Sequence, residues 1–158
     1  MGDVYNMPEK PNVPADAIEI ASNNQYPLNG TQGLNGSKVY VIKKGTTITS
    51  GLNLNGATLY VEGELTIDNL WANSNGKLIV LGGTVNIIGD NNQNDGNVFR
   101  SSCVKLYNYD GKITYNNSSS SDFFISANDE FYTNTDLDLN GKALKVQGKF
   151  YAGGKVIT

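Results

Sequence analysis

Asparagine–glycine pairs recur at a constant interval in the first half of this chain. Asn35-Gly36, Asn55-Gly56 and Asn75-Gly76 are each twenty residues apart, and Asp95-Gly96 falls at the next interval. A fixed period of this length, with apolar alternation between the repeats, is typical of a solenoid in which each unit buries its apolar face only against its neighbours. This period constrains the architecture more than any other feature of the sequence.

The apolar residues between the corners align in columns when the polar run 89–97 is counted as an insertion. Residues two apart on a strand face the same side, so two such columns predict a shared interior. The first column contains Val39, Leu59, Ile79, Val104, Phe124 and Leu144, and the second contains Val41, Val61, Leu81, Leu106, Ser126 and Val146.

Further alternating pairs indicate more than one side to each repeat. A second side is indicated by Leu65 with Ile67, Val85 with Ile87 and Ile113 with Tyr115, and a third by Leu52 with Leu54 and Leu137 with Leu139. Three short strands joined by Gly and Asn corners predict an all-β fold, namely a right-handed single-stranded parallel β-helix (solenoid) of about six coils of roughly twenty residues.

A two-layer antiparallel sandwich is the structural alternative, because Asn-Gly between short alternating runs is also a strong hairpin signal. Hairpins do not require a constant period, which favours the solenoid. Asparagine at the corners has a structural explanation in either case, since it tolerates positive φ and its amide can hydrogen-bond to the neighbouring repeat.

Residues 1–16 do not follow the repeat. Pro8, Pro11 and Pro14 each fix φ and remove a backbone donor, so we expect a flexible leader or tether ahead of a β-helix domain over residues 17–158. Residues 17–21 alternate and predict a first strand, with one helical turn that starts at residues 14–16 and caps the stack as the alternative. The last coil lacks a polar capping unit, which predicts a C-terminally truncated piece of a longer protein, and self-association through this open coil.

Composition excludes several classes of function. The net charge is −3 and the pI is about 4.8, which gives no basic surface for nucleic acid. No apolar run is long enough to span a membrane, and no signal peptide is recognisable. Histidine is absent and Cys103 is the only cysteine, so we expect neither a metal site nor a cofactor.

Two acidic residues support an enzymatic alternative. Asp110 and Glu130 are twenty residues apart, which would place their carboxylates on adjacent coils. Stacked carboxylates are what a β-helical polysaccharide lyase or hydrolase requires. Two solvated corner residues are the ordinary explanation. The basic residue that such a site also needs is scarce, because Arg100 is the only arginine and histidine is absent. We therefore expect a protein that is not an enzyme, with this pair as the alternative catalytic site.

Aromatic and basic residues indicate a binding surface. Tyr40 and Tyr60 lie between the predicted inward positions, so we expect them to point outward, one above the other, with Lys105 and Lys145 further along the same column. Trp71 lies near a corner and is a similar candidate. An exposed aromatic strip stacks on sugar rings or on another protein, or it stabilises the sheet through cross-strand pairs.

The leader (residues 3–6), the proline-rich segment and the coil at residues 59–67 (Leu-Tyr-Val-Glu-Gly-Glu-Leu-Thr-Ile) resemble gut-bacterial surface lipoproteins that carry β-helical repeats ahead of a C-terminal LruC-type domain, and pectin-lyase-like β-helices in general. The resemblance implies export, a lipidated cysteine upstream of this segment, and an extracellular or outer cell-surface location. It transfers no catalytic residues. We therefore expect a secreted, adhesin-like module that acts as a stalk or binds a glycan or another surface protein.

Overall fold

The computed structural model describes residues 7–23, 33–70, 75–88, 103–117 and 122–158, and within them the chain forms fifteen β-strands and no helix. The first eight strands are β1 (Ile18–Glu19), β2 (Val39–Ile42), β3 (Thr47–Leu52), β4 (Thr58–Val61), β5 (Glu64–Leu70), β6 (Gly76–Val80), β7 (Thr84–Ile87) and β8 (Val104–Asn108). The other seven are β9 (Lys112–Tyr115), β10 (Phe123–Ile125), β11 (Glu130–Thr133), β12 (Leu137–Asp138), β13 (Leu144–Val146), β14 (Lys149–Ala152) and β15 (Val156–Ile157).

The pairings between these described strands are all parallel. A seven-stranded sheet has the order β1-β2-β4-β6-β8-β11-β14, a six-stranded sheet has the order β15-β12-β9-β7-β5-β3, and β10 pairs with β13. Parallel neighbours cannot be joined by a tight hairpin, so each strand pairs with a strand from an adjacent repeat. The predicted all-β parallel architecture is confirmed, and the antiparallel sandwich is wrong.

One apolar core is shared by the seven-stranded and six-stranded sheets. The six-stranded sheet contributes two aligned columns, in which Leu65 pairs with Val85 and Ile67 pairs with Ile87. The sequence prediction of this second side is therefore confirmed, including Ile113 and Tyr115 in the next strand. Leu52 and Leu54 are also buried in the core, whereas Leu137 aligns with Ile113 on the second side rather than forming a third.

The predicted columns of the seven-stranded sheet were wrong in register. Tyr40 aligns with Leu59, and Leu59 aligns with Leu78, so successive strands are nineteen residues apart rather than twenty. The corner glycines keep the interval of twenty, but Gly56 lies one residue closer to its strand than Gly36 does. Because side chains alternate between faces, a shift of one residue moves a side chain to the opposite face of the sheet.

The corrected register defines two inward and two outward columns. The inward columns are Tyr40, Leu59, Leu78, Leu106, Phe131 and Phe150, and Ile42, Val61, Val80, Asn108, Thr133 and Ala152. The outward columns are Val39, Thr58, Lys77, Lys105, Glu130 and Lys149, and Val41, Tyr60, Ile79, Tyr107, Tyr132 and Tyr151. Val61 therefore points into the core as predicted, while Val41 points away from it.

The later repeats also differ from the predicted layout. Phe124, Leu144 and Val146 belong to the two-stranded sheet of β10 and β13, and β11 and β14 continue the seven-stranded sheet instead. The repeat from β8 to β11 is longer than twenty residues because β10 lies between them in the chain. Val146 was expected in the shared interior, but its side chain is 42% exposed, because β13 pairs only with β10 among the described strands.

Two of the Asn-Gly corners have the predicted backbone conformation. Asn55 and Gly56 have φ values of 49° and 90°, and Asn140 and Gly141 have φ values of 49° and 82°. Asparagine adopts this left-handed region more readily than other non-glycine residues. Its amide also connects neighbouring repeats, since Asn55 Nδ2 donates to the carbonyl of Leu34 at 3.0 Å.

Candidate binding face on the seven-stranded sheet

The side of the seven-stranded sheet that faces away from the core carries tyrosines next to lysines. Tyr107, Tyr132 and Tyr151 are aligned on three adjacent strands, β8, β11 and β14. The neighbouring outward column contributes three lysines and one glutamate to the same side, namely Lys77, Lys105, Glu130 and Lys149. We call these seven residues the outer tyrosine face.

Strand alternation explains why these side chains point outward. In β8, Lys105 and Tyr107 flank Leu106, which is fully buried in the core, and neighbours of an inward residue must point to the other side. Phe131 and Phe150 are the equivalent inward residues of β11 and β14. The spacing between strands, about 4.8 Å, suits stacked rings. The ring centroids of Tyr107 and Tyr132 are 5.1 Å apart, with an interplanar angle of 28°.

Glu130 is held at the centre of this face by three neighbours. The hydroxyl of Tyr132 donates to Glu130 Oε1, and Lys105 Nζ lies 3.5 Å from Glu130 Oε2. Burial alone would raise the pKa of Glu130, but the hydrogen bond from Tyr132 and the charges of Lys105 and Lys149 together hold that pKa below its ordinary value. Glu130 is therefore ionised at neutral pH and orients its neighbours.

Two tyrosines of this region keep their protons well above neutral pH. Burial, and then the charge of Glu130, raise the pKa of the Tyr107 hydroxyl despite the opposing effect of Lys105. Burial, followed by the neighbouring Tyr107 and Tyr60, raises the pKa of Tyr109. Neutral phenols present a hydroxyl that donates and accepts hydrogen bonds beside an apolar ring. Tyr132 is itself only 5% exposed and lies between its neighbours, whereas Tyr107 and Tyr151 are half-buried. The face therefore offers the rings and hydroxyls of Tyr107 and Tyr151 beside ammonium groups.

The proline-rich segment lies over the earlier part of the same sheet side. We call residues 8–17 the strap. Val13 and Ala17 pack against a cluster of Val41, Tyr60 and Ile79, which are outward residues of β2, β4 and β6. Contact of this segment with the sheet is a feature that the sequence did not indicate. Residues 1–6 lie outside the described part of the chain, and the flexible leader stays a prediction there.

The predicted aromatic strip is wrong in its geometry. Tyr40 is 3% exposed and belongs to the core, where it aligns with Leu59. Tyr60 does point away from the core, but it aligns with Val41 and is only 8% exposed. The cause is the interval of nineteen residues between strands, which places residues twenty apart on opposite faces. Whether either tyrosine contacts a ligand stays a prediction.

The other predicted binding residues are separated from one another. Lys105 lies on the outer tyrosine face, but Lys145 lies in β13, where its Nζ is 4.9 Å from the centroid of the Phe124 ring. These two lysines were expected in one column and belong to different sheets, because β10 and β13 form a sheet of their own. Trp71 lies outside the described residues.

The alternative catalytic pair does not form a stacked pair of carboxylates. Glu130 aligns with Lys105 at the start of β8, whereas Asp110 lies beyond the other end of that strand. Asp110 Oδ1 instead accepts a hydrogen bond from the backbone N–H of Gly82 at 2.7 Å. The premise that a separation of twenty residues stacks these two side chains was wrong, because this repeat includes the additional strand β10.

The tyrosines of the face belong to a recurring tripeptide in the sequence. An alignment at a constant interval of twenty residues does not find it. Three tripeptides repeat a charged residue, a large apolar residue and tyrosine, at residues 105–107 (Lys-Leu-Tyr), 130–132 (Glu-Phe-Tyr) and 149–151 (Lys-Phe-Tyr). Residues 58–60 (Thr-Leu-Tyr) are a related version with an uncharged first position. A search for a recurring local pattern, rather than for a constant interval, finds the column.

Neither a metal centre nor a membrane-spanning helix is found within the described ranges. No group of three or more Cys, Asp or Glu residues there is arranged to hold a metal ion. The described segments also contain no helix with the length and apolarity needed to cross a membrane. In comparisons with known proteins, the chain matched no family model, no curated protein and no solved structure.

Proposed function

We propose that this chain is a non-enzymatic cell-surface module that binds a glycan through the outer tyrosine face. The observation that carries the proposal is the alignment of Tyr107, Tyr132 and Tyr151 beside Lys105 and Lys149. Aromatic rings stack on the apolar faces of sugars, and ammonium groups bind hydroxyl and carboxylate oxygens of a glycan. The extracellular or outer-surface location, with lipid anchoring of the full-length protein, follows from the resemblance to surface lipoproteins.

The scaffold of this module is proposed to be a right-handed, single-stranded parallel β-helix of about six coils. Support comes from the alternation of successive strands between sheets, and from the core that both larger sheets share. Such a scaffold presents side chains from successive coils at a regular spacing of about 4.8 Å. A chain-like ligand with a repeating unit suits a face built in this way.

A non-enzymatic role is supported by the contacts of the two candidate carboxylates. Asp110 binds the backbone of Gly82 and the ammonium group of Lys10, and Glu130 binds Tyr132 and Lys105. Each carboxylate therefore has structural partners, and the two lie near opposite ends of β8. General acid–base catalysis would require both of them to reach one substrate bond.

The proposal is tested with a panel of neutral and acidic polysaccharides bound to the wild type and to Tyr107→Ala. We expect the variant to lose up to about tenfold in affinity, which corresponds to one aromatic contact. Lys149→Ala should weaken binding of acidic glycans more than of neutral ones, because it removes a charge. Thr66→Ala, on the outward side of the six-stranded sheet, is the matched control and should bind like the wild type.

Three results would contradict this function. Equal loss of binding in Thr66→Ala and Tyr107→Ala would show that the outer tyrosine face is not the site. Failure of the wild type to bind any glycan on the panel would leave another surface protein as the ligand class. Release of sugar fragments that depends on Glu130, tested with Glu130→Gln, would support the enzymatic alternative instead.

A further inference from the structure

The outward side of the seven-stranded sheet is apolar where the strap lies over it. Val41, Tyr60 and Ile79 point away from the core, yet all three are buried. Val13 and Ala17 of the strap pack against them, together with Tyr107 and Tyr109 at the edge of the outer tyrosine face. The strap thus covers the first half of a column whose second half is Tyr107, Tyr132 and Tyr151.

The strap runs along this column, across the strands. Ala17 directly precedes β1, and Lys10 Nζ lies 2.6 Å from Asp110 Oδ2, just after β8. Between those points lie the four strand spacings from β1 to β8, about 19 Å in total. Residues 14–17 form a turn, and the proline-containing stretch before it reaches toward β8, where the Lys10 side chain contacts Asp110. The strap therefore crosses the strands in the direction in which a chain-like ligand would lie.

One contact that holds the strap, the ion pair between Lys10 and Asp110, is open to solvent. The side chains of Lys10 and Asp110 are 53% and 47% exposed, and ion pairs this exposed contribute little to stability. Its three prolines lack the backbone N–H that strand pairing needs. Within the described residues, sheet pairing begins only at Ile18, and the preceding backbone bond, from Ala17 N to Pro14 O, closes a turn inside the strap.

We propose that the strap is a detachable cover, whose release extends the ligand-binding column of the outer tyrosine face from three strands (β8, β11 and β14) to five, ending at Tyr60 on β4. The strap and the ligand would then compete for the same sheet side. The competition rests on the proposed glycan-binding function, whereas detachment does not. Two strap side chains are tested as its attachments to the sheet side: Val13 makes an apolar contact, and Lys10 makes an ion pair.

Detachment is tested without any ligand, by chemical nitration of tyrosines read out by mass spectrometry. Val13→Asp places a charge in the apolar contact, and we expect Tyr60 to be nitrated faster than in the wild type. Lys10→Ala should raise the rate by up to about fivefold, the largest effect expected of an exposed ion pair. Glu9→Gln changes an exposed strap residue and should leave the rate unchanged.

Tyr40 is the internal control for folding because it lies in the core. Faster nitration of Tyr60 with Tyr40 still protected supports the detachable cover. Joint exposure of both tyrosines in Val13→Asp would overturn it, since the strap would then be part of the cooperative fold. An unchanged Tyr60 rate in Val13→Asp would overturn it as well.

Glycan titration then separates the cover from the proposed function. For a glycan that the wild type binds, Val13→Asp should bind more tightly, because the ligand no longer displaces the strap, and equal affinity would refute the competition. If no variant binds any glycan while Tyr60 becomes reactive and Tyr40 stays protected, the cover stands and the glycan-binding function fails.

Discussion

Asn108 interrupts an aliphatic inward column and provides the sharpest test of how the corners are held. Ile42, Val61 and Val80 occupy the equivalent positions of the preceding strands, and Asn108 is fully buried after them. Its Oδ1 accepts the backbone N–H of Gly111 at 2.8 Å. Its Nδ2 lies within 2.8–2.9 Å of the Thr133 and Thr135 hydroxyls on the next repeat. One amide thus joins its own corner to the neighbouring repeat.

Replacing the Asn108 amide should lower the free energy of unfolding, and apolar packing should restore only part of that loss. Asn108→Ala leaves the Gly111 N–H without its acceptor, at about 1–3 kcal/mol, and removes bonds to two hydroxyls, at about 1 kcal/mol more, so we expect a loss of about 2–4 kcal/mol. Asn108→Val removes the same bonds, but its apolar packing in this aliphatic column offsets the loss of the hydroxyl contacts. It still leaves the Gly111 N–H unpaired, so we expect a loss of about 1–3 kcal/mol.

The measurement is urea unfolding followed by circular dichroism at neutral pH. Asn116→Ala is the matched control, because Asn116 is an exposed asparagine that also bonds to an adjacent repeat, through Asn86 Oδ1. Its loss should stay near 0.5 kcal/mol, as for other surface changes. An Asn108→Val variant as stable as the wild type would refute the reasoning, because the corner hydrogen bond would then contribute nothing.

Two further predictions concern acid stability and close packing. Because the folded pKa of Glu130 lies below its ordinary value of 4.5, its contribution to stability is complete above that pH and is lost as the pH falls through the folded value. The unfolding free energy of Glu130→Gln should therefore depend less on pH in this acid range, and an unchanged pH dependence would contradict the assignment. Gly83→Ala would place a Cβ atom 2.4 Å from the carbonyl oxygen of Gly63 on the adjacent corner, so we expect destabilisation of about 1–3 kcal/mol. A urea midpoint equal to that of the wild type would show that the two corners can move apart without a loss of stability, which would contradict this expectation.

The candidate face was only partly predictable from the sequence, because successive side chains of a strand alternate between its two faces. Aromatic residues beside lysines on an outward side were expected from the sequence, and Lys105 does point outward, although it lies in the column next to that of Tyr60 rather than in the same one. Tyr40 and Tyr60 were misassigned as a stacked pair, because the corner interval of twenty was applied to strands that are nineteen residues apart. An error of one residue is harmless for a helix boundary but reverses the direction of every side chain in a strand.

The cover over Tyr60 had no counterpart in sequence reasoning. Three prolines correctly indicated a segment without regular structure, but local conformation says nothing about which surface such a segment contacts. The ion pair between Lys10 and Asp110 joins residues one hundred positions apart. Contacts at such separation follow from the packing of the whole chain.

The amino-acid sequence alone determined that this protein is all-β and parallel, and that its corners are built from glycine and asparagine. These properties follow from local rules, namely alternation with a period of two and the tolerance of particular residues for positive φ. Tertiary structure alone decided the strand register, the additional strand β10, and the faces on which Tyr40, Tyr60 and Tyr107 lie. The physical reason is that a corner can be one residue longer or shorter at little cost in free energy. The register is therefore set by which side chains pack together in the shared core.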